Sequence, residues 1–205
     1  MNNYLILVRH GQSVWNLQNL FTGWTDVELS DQGKKEASEA GKLLAKYPCD
    51  VLWTSALRRA WDTLDLIVAE TGWKAPVVKT QALNERHYGD LQGLNKAETA
   101  QKYGDEQVHL WRRSYDVNPP NGESLKDTVA RVKPILENCL LPSLAAGKNL
   151  IVVAHGNSNR ALIKMIENIS DEKIPELELE TGKPYFFQVT GLDEKGLPKL
   201  VRVDK

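Results

Sequence analysis

Two short aliphatic runs, Tyr4–Val8 and Leu150–Ala154, lead into the same unusual ending, Arg9-His10-Gly11 in one case and His155-Gly156-Asn157 in the other. Each run, taken with its preceding asparagine, is continuous, apolar and too short for a helix. A strand covered on both faces of a parallel sheet reads this way. Val51–Thr54 has the same character. Between the first two strands lies Ser30–Tyr47, where Ser30 can cap and Ala37, Ala40, Leu44 and Tyr47 recur at helical spacing up to Pro48. Ser55 is expected to cap a second helix with Leu57, Ala60, Trp61, Leu64, Ile67 and Val68 on one stripe and Gly72 at its end. Residues 94 to 116 read as a polar helical stretch broken at Gly104 and closed by Pro119-Pro120. Ser124 and Asp127 have capping-box spacing ahead of a helix that Pro134 should kink, and residues 157 to 168 form another. Tyr185–Val189 and Leu197–Val203 alternate as sheet-edge strands. Alternating strands and helices imply one α/β domain over 1–205. It would be a three-layer α/β/α arrangement around a mostly parallel open sheet, with a helical insertion at about 85–123 over the site.

With 26 Lys+Arg against 27 Asp+Glu the net charge is −1, so no bulk charge draws the chain to nucleic acid or an anionic membrane. The two apolar runs are far below the roughly 18 residues needed to cross a bilayer. The start carries no basic segment followed by an apolar core and cleavage site, so a cytoplasmic location is expected. Cys49 and Cys139 lack metal or CxxC spacing and read as small apolar core residues.

Carboxyl ends of strands converge in such a sheet, so His10 and His155 are expected to meet in one pocket. Either alone would read as a hydrogen-bonded core histidine; the matched pair argues for a site. Arg9, Arg58, Arg59, Arg86, Arg112 and Arg113 supply guanidinium forks suited to phosphate, in an otherwise neutral chain. Gly11, Ser13, Asn16, Thr22 and Gly23 form a polar loop after His10 that can offer N–H groups and hydroxyls to phosphate oxygens. No HExxH, DxDxDG or Walker signature is present, so the expectation is no metal, with phosphate charge met by arginine and imidazolium. One imidazole would attack phosphorus to form a phosphohistidine while the other, protonated, steadies the equatorial oxygens. Glu85 is the carboxylic acid best placed to handle the leaving group's proton.

Leu7–Asn16, Phe21–Trp24, Ser55–Ala60, Leu83–Lys96 and Ala154–Asn157 together resemble the cofactor-dependent phosphoglycerate mutases of the histidine phosphatase superfamily, over about residues 3 to 190. The RHG and HGN fragments mark only the superfamily. The Glu85–Glu98 stretch and Trp111-Arg112-Arg113 are more specific to the mutase branch. Residue by residue, the resemblance implies His10 as the phosphorylated nucleophile and Glu85 as proton donor and acceptor. His155, Arg9 and Arg59 would clamp the phosphoryl group. Ser13, Asn16, Thr22, Gly23, Tyr88, Lys96, Arg112, Arg113, Gly156 and Asn157 match substrate-contacting positions. It implies interconversion of 2- and 3-phosphoglycerate in glycolysis and gluconeogenesis, primed by 2,3-bisphosphoglycerate, with a small-molecule phosphoglycerate as partner. Such enzymes occur as monomers, dimers and tetramers, so a homo-oligomer such as a dimer is compatible.

Two departures from longer relatives stand out: only Asp116–Glu123 separates Tyr115 from Ser124, and the chain stops at Lys205. A less sealed pocket would admit water to phospho-His10, so bisphosphoglycerate phosphatase leakage is an expectation. The alternative activity is a broad-specificity histidine phosphatase. A non-catalytic phospho-ligand module is the alternative from another class, and it fits poorly with nucleophile, acid and clamp retained together.

Overall fold

The computed structural model describes residues 3–204. Its sheet has six strands in the order β3-β2-β4-β1-β5-β6: β1 (Tyr4–Arg9), β2 (Val51–Ser55), β3 (Val77–Thr80), β4 (Leu150–Ala154), β5 (Pro184–Leu192) and β6 (Pro198–Val203). β1, β2, β3 and β4 run parallel, while β5 pairs antiparallel to β1 and β6 antiparallel to β5.

The pleat divides the aliphatic runs between two cores, which is why those runs contain no polar alternation. Ile6, Val8, Ile151 and Val153 face helices α2 (Asp31–Leu44) and α3 (Arg58–Thr71) through Ala40, Leu44, Leu64 and Ile67. Leu5, Leu7, Leu150 and Val152 face α6 (Leu125–Ile135) and α8 (Gly156–Glu167) through Val132 and Leu162. Helices on both faces of a mostly parallel sheet make the three layers expected from the sequence.

Ser30 caps α2 by accepting from Gly33 N–H, and Ser124 with Asp127 closes a capping box on α6. At Pro134, which cannot donate a backbone hydrogen bond, α6 passes into a π-helical turn over Leu136–Leu140, followed by the short α7 (Leu141–Ala145). The polar stretch divides at Gly104 into α4 (Lys96–Tyr103) and α5 (Asp105–Arg113). It builds a small core of its own from Val108 and Trp111 with Phe21 and Leu91.

Several readings need correcting. Ser55 does not cap α3. Leu57 occupies that position without a side-chain bond, because the Ser55 hydroxyl is engaged by His155 and by Leu57 N–H. β5 is an interior strand rather than an edge, flanked by β1 and β6. The short edge strand β3 and the four-residue helix α1 (Val14–Leu17) had no counterpart in the sequence reading. Cys49 and Cys139 are only partly buried, packed against the margins of the cores.

Candidate active site

β1 and β4 are neighbours in register, with Arg9 opposite Ala154, and His10 N–H donates to Ala154 O at 2.9 Å. The two histidines therefore leave adjacent strands at the same level. Their rings stand edge to face, centroids 5.0 Å apart. The Gly11 carbonyl lies 2.6 Å from His10 Nδ1. A carbonyl only accepts, which assigns the ring proton to Nδ1 and leaves Nε2 with its lone pair. Arg59 Nε donates to that Nε2 at 3.3 Å. Burial, aided by Arg59 and Arg9, holds the His10 pKa well below its ordinary value, against the pull of the Gly11 carbonyl. The result is a neutral imidazole with its nucleophilic nitrogen beside a guanidinium.

His155 is the N-cap residue of α8, in extended backbone, and its Nε2 is 2.7 Å from Ser55 Oγ. Ser55 Oγ also accepts from Leu57 N–H, and with its hydroxyl proton assigned to His155 Nε2 the histidine proton sits on Nδ1. Burial, then Arg59 and His10, keep the His155 pKa well below its ordinary value. The expected imidazolium needs correcting: burial, with Arg59 alongside, disfavours a second cation here, and the ring offers a neutral N–H instead.

Glu85 is fixed by one of its two oxygens. Oε1 accepts from both Arg86 N–H and Asn157 N–H at 2.9 Å, while Oε2 points toward the backbone of Gly156. Burial opposes ionisation, but Arg86 N–H, Arg59, Arg9 and Asn157 N–H together hold the carboxyl below its ordinary pKa. Arg131 braces this loop. Its guanidinium donates to the carbonyls of Gln81, Ala82, Asn84 and Glu85 while pairing with both oxygens of Glu123.

His10 and Glu85 line a cavity of about 120 Å³ over the carboxyl ends of β1 and β4, and the fully buried His155 stands against His10 rather than in the cavity wall. Arg9, His10, Asn16, Thr22, Gly23, Arg59, Glu85, Tyr88, Lys96, Arg112, Arg113, Gly156 and Asn157 all reach its wall. Ser13 does not: it is fully buried, and its hydroxyl accepts from Asn16 N–H while Asn16 Oδ1 accepts from Ser13 N–H, so it acts by holding Asn16. Arg86, counted among the phosphate cations, is also fully buried; it donates to Tyr88 Oη and Arg112 O, bracing two wall residues. Leu20, Arg160 and Glu178 line the cavity without having been singled out. Six cations thus face two carboxylates, and burial lowers the Arg59 pKa to about 10. His155 Nδ1, Thr22 Oγ1 and Arg9 Nε are buried without a protein partner. Unpaired donors among excess cations suit a polyanion whose oxygens accept from all three.

A mostly parallel sheet with paired histidines, a guanidinium bonded to one of them and a carboxyl in the same cavity defines the histidine phosphatase class, and the histidine phosphatase superfamily (branch 1) matches residues 5–194. Within it the chain belongs to the 2,3-bisphosphoglycerate-dependent phosphoglycerate mutases. It is 55% identical to the mutase of that name from Beijerinckia indica over 92% of this chain and 93% of the relative. With the Methylocella silvestris mutase it shares 56% identity over the same proportions. Among solved structures, the mycobacterial glucosyl-3-phosphoglycerate phosphatase superposes with a TM-score of 0.81 at 26% identity, over 98% of this chain and 97% of that one.

Proposed function

We propose that this mutase interconverts 2-phosphoglycerate and 3-phosphoglycerate through a phosphohistidine formed on His10 Nε2. The observation that carries the assignment is His10 Nδ1 at 2.6 Å from the Gly11 carbonyl with Arg59 Nε at 3.3 Å from Nε2, which assigns the proton to Nδ1 and the lone pair to Nε2. Bound 2,3-bisphosphoglycerate supplies the phosphoryl group that primes His10, and the six cations and unpaired donors of the cavity suit its charge.

In the first half-reaction the free hydroxyl of a monophosphate attacks phosphorus and the P–N bond to His10 breaks. Ionised Glu85 takes the hydroxyl proton on Oε2, since Oε1 is committed to two backbone N–H groups. In the second half-reaction His10 Nε2 takes the other phosphoryl group, the bond from phosphorus to the departing oxygen breaks, and Glu85 returns the proton to that alkoxide, so protons and phosphoryl groups balance. Arg9, Arg59 and the Nδ1–H of His155 stabilise the three equatorial oxygens in both directions. Asn16, Thr22, Gly23, Tyr88, Lys96, Arg112, Arg113, Gly156 and Asn157 hold the remainder of the ligand, with Ser13 keeping Asn16 in place. Its ligands as glycolytic intermediates suit a cytoplasmic enzyme.

A histidine phosphatase that releases inorganic phosphate would share the first transfer and differ in what attacks phospho-His10. The 26% identical phosphatase of the same fold gives that second reading its footing. Incubation with phosphoryl-labelled 2,3-bisphosphoglycerate should yield an acid-labile, base-stable adduct that peptide mapping places on His10. Added 3-phosphoglycerate should discharge it into organic phosphate rather than inorganic phosphate. No label on His10 removes the mechanism; discharge mainly to inorganic phosphate establishes the phosphatase.

A further inference from the structure

The segment between α8 and β5 touches the cavity through one carboxylate. Glu178 Oε1 lies 2.6 Å from Arg113 Nη2, and Oε2 lies 3.5 Å from Arg160 Nη2. The two sides of this bridge are unequally fixed. Arg160 is nearly buried and also donates to Leu177 O at 2.6 Å and Asn157 Oδ1 at 3.2 Å, whereas the Glu178 side chain is 64% exposed. The backbone on either side is anchored as well, since Leu179 O accepts from Arg9 Nη1 at 2.7 Å. The mobile member is therefore the carboxylate, which can swing toward solvent while the Arg160 guanidinium and the surrounding chain stay in place.

We propose that Glu178 is an affinity- and specificity-setting residue of this cavity. In this assignment it serves as an internal counter-ion on Arg113 and Arg160, exchanged for the anionic end of the ligand remote from His10. The inference rests on the reading of the cavity as a phosphoglycerate site with His10 at the reacting end. A ligand with two anionic ends must displace the carboxylate to gain the guanidinium pair. A ligand with one leaves it in place. The exchange also serves a bisphosphate that turns over between transfers. Each time its far anion releases, Glu178 recaptures Arg113 and the nearly buried Arg160, so neither cation is left without a counter-ion. Exposed ion pairs of this kind shift a competing equilibrium by up to about fivefold.

The test compares the full-length wild type with Glu178→Gln, a near-isosteric change at an exposed side chain, by titration calorimetry at fixed ionic strength. The probes are 3-phosphoglycerate, which has two anionic ends, and orthovanadate, a phosphoryl mimic with one. The variant should bind 3-phosphoglycerate about three- to fivefold more tightly and orthovanadate within about 1.5-fold of wild type, with the 3-phosphoglycerate gain shrinking as salt rises. Unchanged or weaker 3-phosphoglycerate binding overturns the exchange, and so does an equal gain for orthovanadate, which would reflect cavity charge alone. Wild type that binds orthovanadate but not 3-phosphoglycerate removes the functional reading, and the exchange with it.

Discussion

Glu85→Gln isolates the proton-transfer role because the structure assigns the two carboxylate oxygens different duties. Oε1 accepts from Arg86 N–H and Asn157 N–H, and an amide oxygen can do the same, so the loop and the first turn of α8 should keep their geometry. The amide nitrogen then replaces Oε2, the oxygen left for the substrate proton, and it can neither take nor return one. General acid–base catalysis contributes about 10² to 10⁴ in rate, so the barrier should rise by about 2.7–5.5 kcal/mol. Binding should move the other way. Glu85 is one of two carboxylates facing six cations, and its neutralisation leaves Arg9 and Arg59 more attractive to a phosphoryl oxyanion. The expected signature is a fall in kcat of at least a hundredfold with orthovanadate affinity equal to or above wild type. Steady-state mutase assays and vanadate titration read the two quantities on one protein preparation. Turnover within about threefold of wild type would refute the assignment, as would a loss of vanadate binding comparable to the loss of rate.

Two further outcomes follow from the histidine pair. Ser55→Ala removes the hydroxyl that holds His155 by its Nε2; kcat should fall about tenfold at nearly constant KM in steady-state mutase assays, an unchanged kcat refuting the role. Both His10 and His155 have folded-state pKa values below the ordinary 6.5, so the unfolded chain binds more protons below that pH. Stability should therefore be greatest above 6.5 and decline as pH falls from there toward the folded-state pKa values, by up to about 1.4 kcal/mol per pH unit for each histidine. Urea unfolding at pH 7.5 and 5.5 checks this, and His10→Asn should show a smaller decline than wild type; equal declines would refute it.

The paired strands and their histidines were legible because burial on both faces leaves an unbroken aliphatic run, and because a strand's carboxyl end fixes where the following residue emerges. Helices α2 and α6 were legible through their serine caps, and α4 and α5 through Gly104. What escaped depended on partners distant in sequence. Ser55 reads as a helix cap until a histidine 100 residues later claims its hydroxyl. Arg131 looks like one charge on an amphipathic helix, and only the packed fold brings it to the carbonyls of 81–85. Arg160 sits inside the α8 run, and Glu178 in a charged loop, with no local signal for the cavity they share. β3 was missed because its residues, Val77–Thr80, are few and only alternately covered.

The loop after His10 and the start of α2 interlock without side chains. A Cβ on Gly11 would lie 2.2 Å from Gly33 O, and one on Gly33 would lie 2.0 Å from Gln12 O. The Gly11 backbone, whose carbonyl orients the nucleophile, is therefore seated directly against the first turn of α2. Undocking of that turn would let the imidazole proton migrate to the nitrogen meant to attack, silencing the enzyme while the sheet stayed whole. Loss of turnover on warming thus becomes a gauge of one helix end letting go, ahead of global unfolding.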